Sequence, residues 1–370
     1  MPMKILILNW RDIKNPKSGG AEILTHEIAK RWVNWGHSVI QFSSEFKGSA
    51  KQEIIDGVKI IRGGHPDARF LLKSVHWLAF RYYSKNLKGK VDVVLDEVHG
   101  LPFFTPFYVK ERKVVLICEV AGKLWKEMFG PLFGSLGRTI EILFLRFLYK
   151  KIQFLTISRS SKEELMQNGV KAENITVLPM GLNLPKTIMA YRKEKNPTLI
   201  FLGRLSKPKG VEDAIRSLKL VLGEVPNACL WIVGRGEDDY IRKLKEMIKS
   251  LGLDEKITLY GFVSESKKFE LLARAHVLVM PSIKEGWGLI VPEAYSVGTV
   301  SVVYNSPGLR DVLKNNRFKK MTSENTPEAL AEEVLSVLKD KSFFEKPLRP
   351  NLDEFSWDNT AKEAFKILQT

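Results

Sequence analysis

Short apolar runs alternate with longer amphipathic ones along this chain, and that alternation restricts the fold more than any other feature. A parallel strand covered on both faces reads as a near-continuous apolar run, and the crossover to its parallel neighbour is usually a helix. In the first half the strand candidates are Lys4 to Asn9, Ser38 to Phe42, Val91 to Leu95, Val114 to Cys118 and Phe154 to Ile157. Helical stretches such as Ala21 to Trp35 and Ser160 to Asn168 separate them. The pattern restarts at Thr198 to Leu202 and continues through Cys229 to Val233, Ile257 to Tyr260, Val277 to Met280 and Val300 to Val303. Strands and helices in turn predict an α/β protein with mainly parallel sheets.

A chain of 370 residues is long enough for two domains of ordinary size. The prolines and glycine of Leu178 to Pro185, followed by the polar run Tyr191 to Pro197, mark the break between them. The expected division is a first domain over 1–180, a linker over 181–197 and a second domain over 198–350. The closing stretch 351–370, with Phe355-Ser356-Trp357 ahead of Asp358 to Leu368, reads as a capped amphipathic helix that crosses back to the first domain. The architecture that follows is two doubly wound, Rossmann-like domains facing each other across a cleft.

No stretch approaches the roughly 18 apolar residues of a membrane-spanning helix, and Met3 to Asn9 reads as a first strand rather than a signal peptide. Cys118 and Cys229 lie far apart in apolar runs, which favours buried free thiols over a disulfide. The expected compartment is the cytoplasm. The formal net charge of +16 is uneven, with a net of +11 in residues 1–180 and +5 in the remainder. Such an excess can serve nucleic acid, an anionic membrane surface or phosphorylated substrates, or solubility alone.

Four glycine-rich elements each follow a strand candidate or open a helix. Ser18-Gly19-Gly20-Ala21-Glu22 precedes a helix whose N-terminus favours anions, although Gly-Gly is also an ordinary turn. No G-x-G-x-x-G follows the first strand, which counts against a dinucleotide oxidoreductase. Gly203 to Gly210 carries Arg204 and Lys209 at a helix entrance, where paired cations can neutralise a diphosphate or simply be solvated. Val233-Gly234-Arg235-Gly236-Glu237 could admit a flat base close to the backbone or form a plain turn. The fourth element, Glu285-Gly286-Trp287-Gly288-Leu289-Ile290-Val291-Pro292-Glu293, leaves an apolar strand and enters a helix with Pro292 in its first turn. In open α/β sheets, ligands bind outside the carboxyl ends of the strands, at such junctions. An acid in the first helical turn has a capping explanation that suits Glu293. It does not explain Glu285.

Together these elements resemble glycosyltransferase family 4, the retaining nucleotide-sugar transferases of the GT-B fold, over nearly the whole chain. The most specific mark is the pair of glutamates separated by seven residues, Glu285 and Glu293. The resemblance implies that Arg204 and Lys209 meet the donor diphosphate, Glu285 the donor sugar and Glu293 the nucleotide ribose. It places Gly19 and Gly20 near the diphosphate and Gly234, Gly236, Phe262 and Val263 around the base, with Gly286, Trp287, Gly288, Leu289 and Ile290 completing the donor site. Many relatives carry a histidine where this sequence has Cys118 and Glu119; His99 could supply an imidazole on the acceptor side, beside Glu119.

The activity implied is transfer of a sugar from a nucleotide diphosphate to an acceptor hydroxyl of a lipid-linked or cell-surface glycan. Retention of configuration follows if the acceptor attacks from the face that the leaving phosphate departs, with that phosphate taking the proton. With cations already on the diphosphate, no metal and no further cofactor is expected. Arg69 to Tyr83 and Leu143 to Lys151 mix large apolar residues with cations and suit either an anionic membrane surface or a core helix with snorkelling lysines. Work at the inner membrane face is therefore part of the expectation. A GT-B-like sugar-nucleotide epimerase would use similar donor contacts. A nucleic-acid-binding protein would explain the charge but not the paired glutamates, and no recognition motif is visible.

Overall fold

The computed structural model describes residues 1–66, 72–122, 124–184, 191–314, 316–344 and 351–370. They form two compact units, Met1–Gly181 with Glu354–Thr370, and Leu182–Asp353.

The first unit is built on an eight-stranded sheet. Its strands are β1 (Lys4–Leu8), β2 (Ser38–Ser43), β3 (Gln52–Ile55), β4 (Val58–Arg62), β5 (Val93–Glu97), β6 (Arg112–Leu116), β7 (Gln153–Thr156) and β8 (Ile175–Val177), in the order β3-β4-β2-β1-β5-β6-β7-β8. All pairings are parallel except that of β3 with β4. Central β1 is apolar without interruption because both faces are covered: Ile5, Leu6, Ile7 and Leu8 are at most 1% exposed. Helices α1 (Gly20–Asn34), α2 (Val75–Tyr82), α3 (Leu124–Leu143) and α4 (Arg159–Gln167) lie between the strands in the chain. The order reverses at β1, which has β2 on one side and β5 on the other.

The second unit repeats the plan with β9 (Thr198–Leu202), β10 (Cys229–Val233), β11 (Ile257–Gly261), β12 (Val277–Met280), β13 (Val300–Val303) and β14 (Lys319–Met321), ordered β11-β10-β9-β12-β13-β14 and parallel throughout. Its helices are α5 (Val211–Val221), α6 (Asp238–Ser250), α7 (Glu265–Arg274), α8 (Ile290–Ser296) and α9 (Pro327–Lys339). Here the order reverses between β9 and β12, which opens a crevice at their carboxyl ends.

The C-terminal helix α10 (Trp357–Gln369) belongs to the first unit and packs on α1. Trp32 Nε1 donates to the Ala361 carbonyl at 3.1 Å, and Thr360 Oγ1 donates to that of Pro179 at 2.7 Å. Gly181 is glycine for a packing reason, since a Cβ there would lie 2.3 Å from the Trp357 ring.

Within the stretch read as a linker, residues 185–190 lie outside the described residues. Its later part is tied to the second unit. Lys193 Nζ donates to the Ala275 carbonyl at 2.6 Å and to Thr299 Oγ1 at 2.7 Å, and Glu194 pairs with Arg274. Cys118 and Cys229 are both free and half-buried.

Candidate functional site

In the second unit the loop after β9 and the loop after β12 meet at the point where the strand order reverses. The first turns through Lys207–Lys209 into Gly210, which has φ 72°. A Cβ on Gly210 would lie 2.0 Å from the Pro281 carbonyl oxygen, so only glycine lets these backbones touch. The Ile283 amide donates to the Pro208 carbonyl at 3.0 Å and locks the contact. Lys209 is thereby delivered to Glu285, with Nζ 2.5 Å from Oε1. The glutamate side chain is 11% exposed and the lysine 31%, so the pair sits at the rim of the crevice, reachable from solvent. Ser306 Oγ donates to the Ser282 carbonyl at 2.8 Å and braces the glutamate loop from the far side.

Gly286, Trp287 and Gly288 carry the chain from Glu285 into α8, whose N-terminal cap is Leu289. Gly288 has φ 88°. The Ile290 side chain at the start of α8 is buried, 7% exposed. Glu293 lies on α8 with 9% of its surface exposed, and its Oε1 accepts from Lys268 Nζ at 2.9 Å. Burial pushes the Glu293 carboxyl above the ordinary carboxylate range, and Lys268 pulls against that shift.

The glycines after β10 are also required by backbone packing. A Cβ on Gly234 would lie 1.7 Å from the Gly203 carbonyl oxygen, and one on Gly236 would lie 2.6 Å from that of Leu205. The Leu205 amide donates to the Arg235 carbonyl at 2.7 Å. These glycines let the loop after β10 lie directly on the loop that carries the exposed Arg204. Next to them the Arg235 guanidinium stacks on the Phe262 ring at 3.8 Å, with Phe262 66% exposed and Val263 half-buried behind it. An open cation–aromatic plane of this kind is suited to stacking a flat ring.

The first unit has its own cluster where its strand order reverses, between β1 and β5. The Gly19 amide donates to Glu22 Oε2 at 2.7 Å, and Trp10 Nε1 donates to Glu22 Oε1 at 2.9 Å. Trp10 stacks on His99 with 5.0 Å between ring centroids and 12° between planes. His99 Nε2 lies 3.4 Å from Glu97 Oε2, and Thr25 of α1 donates to the other Glu97 oxygen. The structure thus joins Gly19 and His99 through Glu22, Trp10 and Glu97. Burial pushes the Glu97 carboxyl up. It also pushes the Cys118 thiol well up, reinforced by Glu97, Glu119 and Glu22, which makes that sulfur a poor nucleophile. Glu119 is half-buried at the end of the same segment.

Residues 18–186 match the family model described as Glycosyltransferase Family 4, and residues 189–354 match that of Glycosyl transferases group 1. The chain belongs to the family-4-type glycosyltransferases. It is 26% identical over 397 aligned positions to an uncharacterized glycosyltransferase of Methanocaldococcus jannaschii, covering 99% of this chain and 97% of that one. It is 30% identical to the O-antigen chain mannosyltransferase RfbU of Salmonella typhimurium over 65% of this chain and 63% of that one. The sucrose-phosphate synthase of Thermosynechococcus elongatus shares the fold with a TM-score of 0.79 at 14% identity, covering 99% of this chain and 98% of that one. Anabaena HepE in complex with UDP-glucose shares it at 0.69 and 18% identity, over 99% and 97% of the two chains. The fold is therefore GT-B, and the enzyme carries out glycosyl transfer.

Proposed function

We propose that this glycosyltransferase moves a sugar from a nucleotide diphosphate to an acceptor hydroxyl with retention of configuration and without a metal. The Lys209–Glu285 pair at the β9/β12 crevice carries the reading, because it sets a cation for a leaving phosphate beside a carboxylate for a sugar hydroxyl. In the step, the bond from C1 to the phosphate oxygen breaks and its electron pair goes to the phosphate. The acceptor oxygen bonds to C1 from the same face and gives its proton to that phosphate. Arg204 and Lys209 stabilise the charge that develops there, as fixed charges in a preorganised site do. Glu293 receives the ribose, and Arg235 with Phe262 and Val263 receives the base. Gly19 and Gly20 serve the diphosphate, with His99 and Glu119 on the acceptor side. The UDP-glucose in the Anabaena structure supports a nucleotide-sugar donor.

Incubation with a panel of nucleotide sugars, with and without polyprenyl-phosphate-linked and glycan acceptors, tests this. The expected result is acceptor-dependent release of a nucleoside diphosphate that persists in EDTA. Acceptor-independent release of free or isomerised sugar would replace the transfer reading with the epimerase one.

An acceptor at the cytoplasmic face of a membrane fits the surface of the first unit. Of the two segments read as membrane-facing, Arg69 to Leu71 lie outside the described residues, and the rest of the first buries Val75, Ala79 and Tyr83 but exposes Leu72 and Trp77. The second buries Phe144, Leu145 and Tyr149 but exposes Leu143 and Phe147. The larger apolar surface lies just upstream on α3, where Leu132, Phe133 and Leu136 are 58–78% exposed. Exposed Lys126, Arg146, Lys150 and Lys151 share this stretch. Among the described residues no helix is long and apolar enough to cross a membrane, so the contact proposed is peripheral. Co-sedimentation with phosphatidylglycerol vesicles at low salt should exceed that with neutral vesicles. The Phe133→Ser/Phe147→Ser variant should bind about tenfold more weakly or worse, since two exposed aromatics no longer leave water. Equal binding by the variant would remove the membrane reading while leaving the donor reading intact.

A further inference from the structure

Lys268 was no part of the expected donor site, yet it touches one of its two glutamates from a separate helix. Its Nζ lies 2.9 Å from Glu293 Oε1 and 2.8 Å from Glu265 Oε2. The Lys268 and Glu293 side chains are each 12% exposed, whereas that of Glu265 is 74% exposed. The three form a short chain of charge running inward from solvent, and its inner half is an ion pair between α7 and α8. Burial by itself lowers the pKa of Lys268, but Glu293 and Glu265 outweigh it and leave the ammonium more stable than usual.

The chemistry of the expected ligand gives this pair a use. A ribose presents two neighbouring hydroxyls, both hydrogen-bond donors. A charged carboxylate accepts from both, while a protonated one has a donor of its own to place. A carboxyl buried as deeply as Glu293 drifts toward its neutral form unless a cation holds it charged. A cation bound to one oxygen also fixes the rotation of the group.

We infer that Lys268 is a positioning residue of the donor site, anchoring Oε1 of Glu293 so that Oε2 meets the ribose hydroxyls of the nucleotide. This rests on the reading of Glu293 as the ribose contact. Lys268 does not touch the reacting atoms. It acts through Glu293, and Glu265 serves only as an exposed outer partner.

The test measures ribose recognition directly. Binding of UDP, GDP and ADP is measured by calorimetry on the full chain, and the tightest is compared with its 2′,3′-dideoxy analogue. The wild type should prefer the natural nucleotide by about ten- to a hundredfold, the worth of a hydrogen bond to a charged group. Glu293→Gln should bring that preference close to unity. Lys268→Met should do the same, with a raised KM for the donor and little change in kcat, while Lys268→Arg should restore most of the preference. Glu265→Gln should leave it unchanged.

A purely structural Lys268 would change melting temperature without changing the ratio between the two nucleotides. If Glu293→Gln loses the preference and Lys268→Met keeps it, the inference about Lys268 is overturned and the ribose reading stands. If Glu293→Gln keeps the full preference, the ribose reading itself falls. Should Lys268→Met fold poorly, Lys268→Arg and Lys268→Gln supply the same comparison: arginine retaining the ratio and glutamine losing it supports the inference, and glutamine retaining it overturns it.

Discussion

Replacing Glu285 with glutamine is expected to lower kcat for sugar transfer about 10²–10³-fold, the usual cost of removing one preorganised polar group from a reacting centre. The substitution keeps the shape of the side chain, so the loop braced by Ser306 and Ile283 should hold its course. It removes the charge that Lys209 faces. Lys209 is 31% exposed, so water takes over its solvation and the loss of stability should stay near the surface-pair range of about 1 kcal/mol or less. Freed from Glu285, Lys209 should hold a nucleoside diphosphate at least as tightly as before. The signature is therefore a large fall in kcat with unchanged or tighter product binding, which separates loss of transition-state contacts from loss of binding. Single-turnover transfer beside calorimetric binding of the diphosphate measures both. Turnover within twofold of the wild type would end the assignment of Glu285 to the chemistry.

Much of the frame behind this expectation was legible because it rests on local rules. The apolar runs that became β1, β9 and β12 are continuous since both of their faces are covered, and a reader of pattern alone finds them. The β3–β4 hairpin carries an equally local signal. Asp56-Gly57 is a turn dipeptide, and both residues have positive φ, 47° and 80°. Strands β8 and β14 are three residues each and leave too short a pattern to read. The site is legible in a different measure. Glu285 stands out because an acid in a glycine loop has no structural excuse, whereas Lys268 is one of two adjacent lysines on an amphipathic helix, 25 positions from the glutamate it holds. Trp10 and His99 meet only because β1 and β5 are neighbours in the sheet, which spacing does not reveal. Gly234 and Gly236 suit a base close to the backbone or a plain turn, and backbone contact with Gly203 and Leu205 adds a demand for glycine that sequence alone does not show.

The largest stability effect should come from Arg62→Ala. Arg62 and Asp12 have side chains with no exposed surface and form a two-pronged pair, Nε to Oδ2 at 2.7 Å and Nη2 to Oδ1 at 2.9 Å. Arg62 also reaches the Ala50 carbonyl and Glu53, both at 3.0 Å. Removing the guanidinium strands a buried carboxylate, which costs about 3–5 kcal/mol, a large share of what a domain this size possesses. The pairs of Arg274 with Glu194 and Glu270 give the contrast. Their side chains are 22–33% exposed, so Arg274→Ala should cost about 1 kcal/mol or less even though it also breaks two ion pairs. The unfolding midpoint of the first unit in urea measures the Arg62 effect. If Arg62→Ala proves no worse than Arg274→Ala, water reaches Asp12 and the pair is not the closed contact its geometry describes. The double variant Asp12→Leu/Arg62→Met should recover most of the loss, because the penalty comes from the unpaired charge rather than from any net worth of the pair. Its transfer activity then answers a further question. Asp12 Oδ1 also accepts from the Lys14 amide and opens the loop that ends at Gly19. A double variant that is stable but slow would show that the pair is there to hold the glycine loop in place, with kcat/KM for the donor as the quantity that falls.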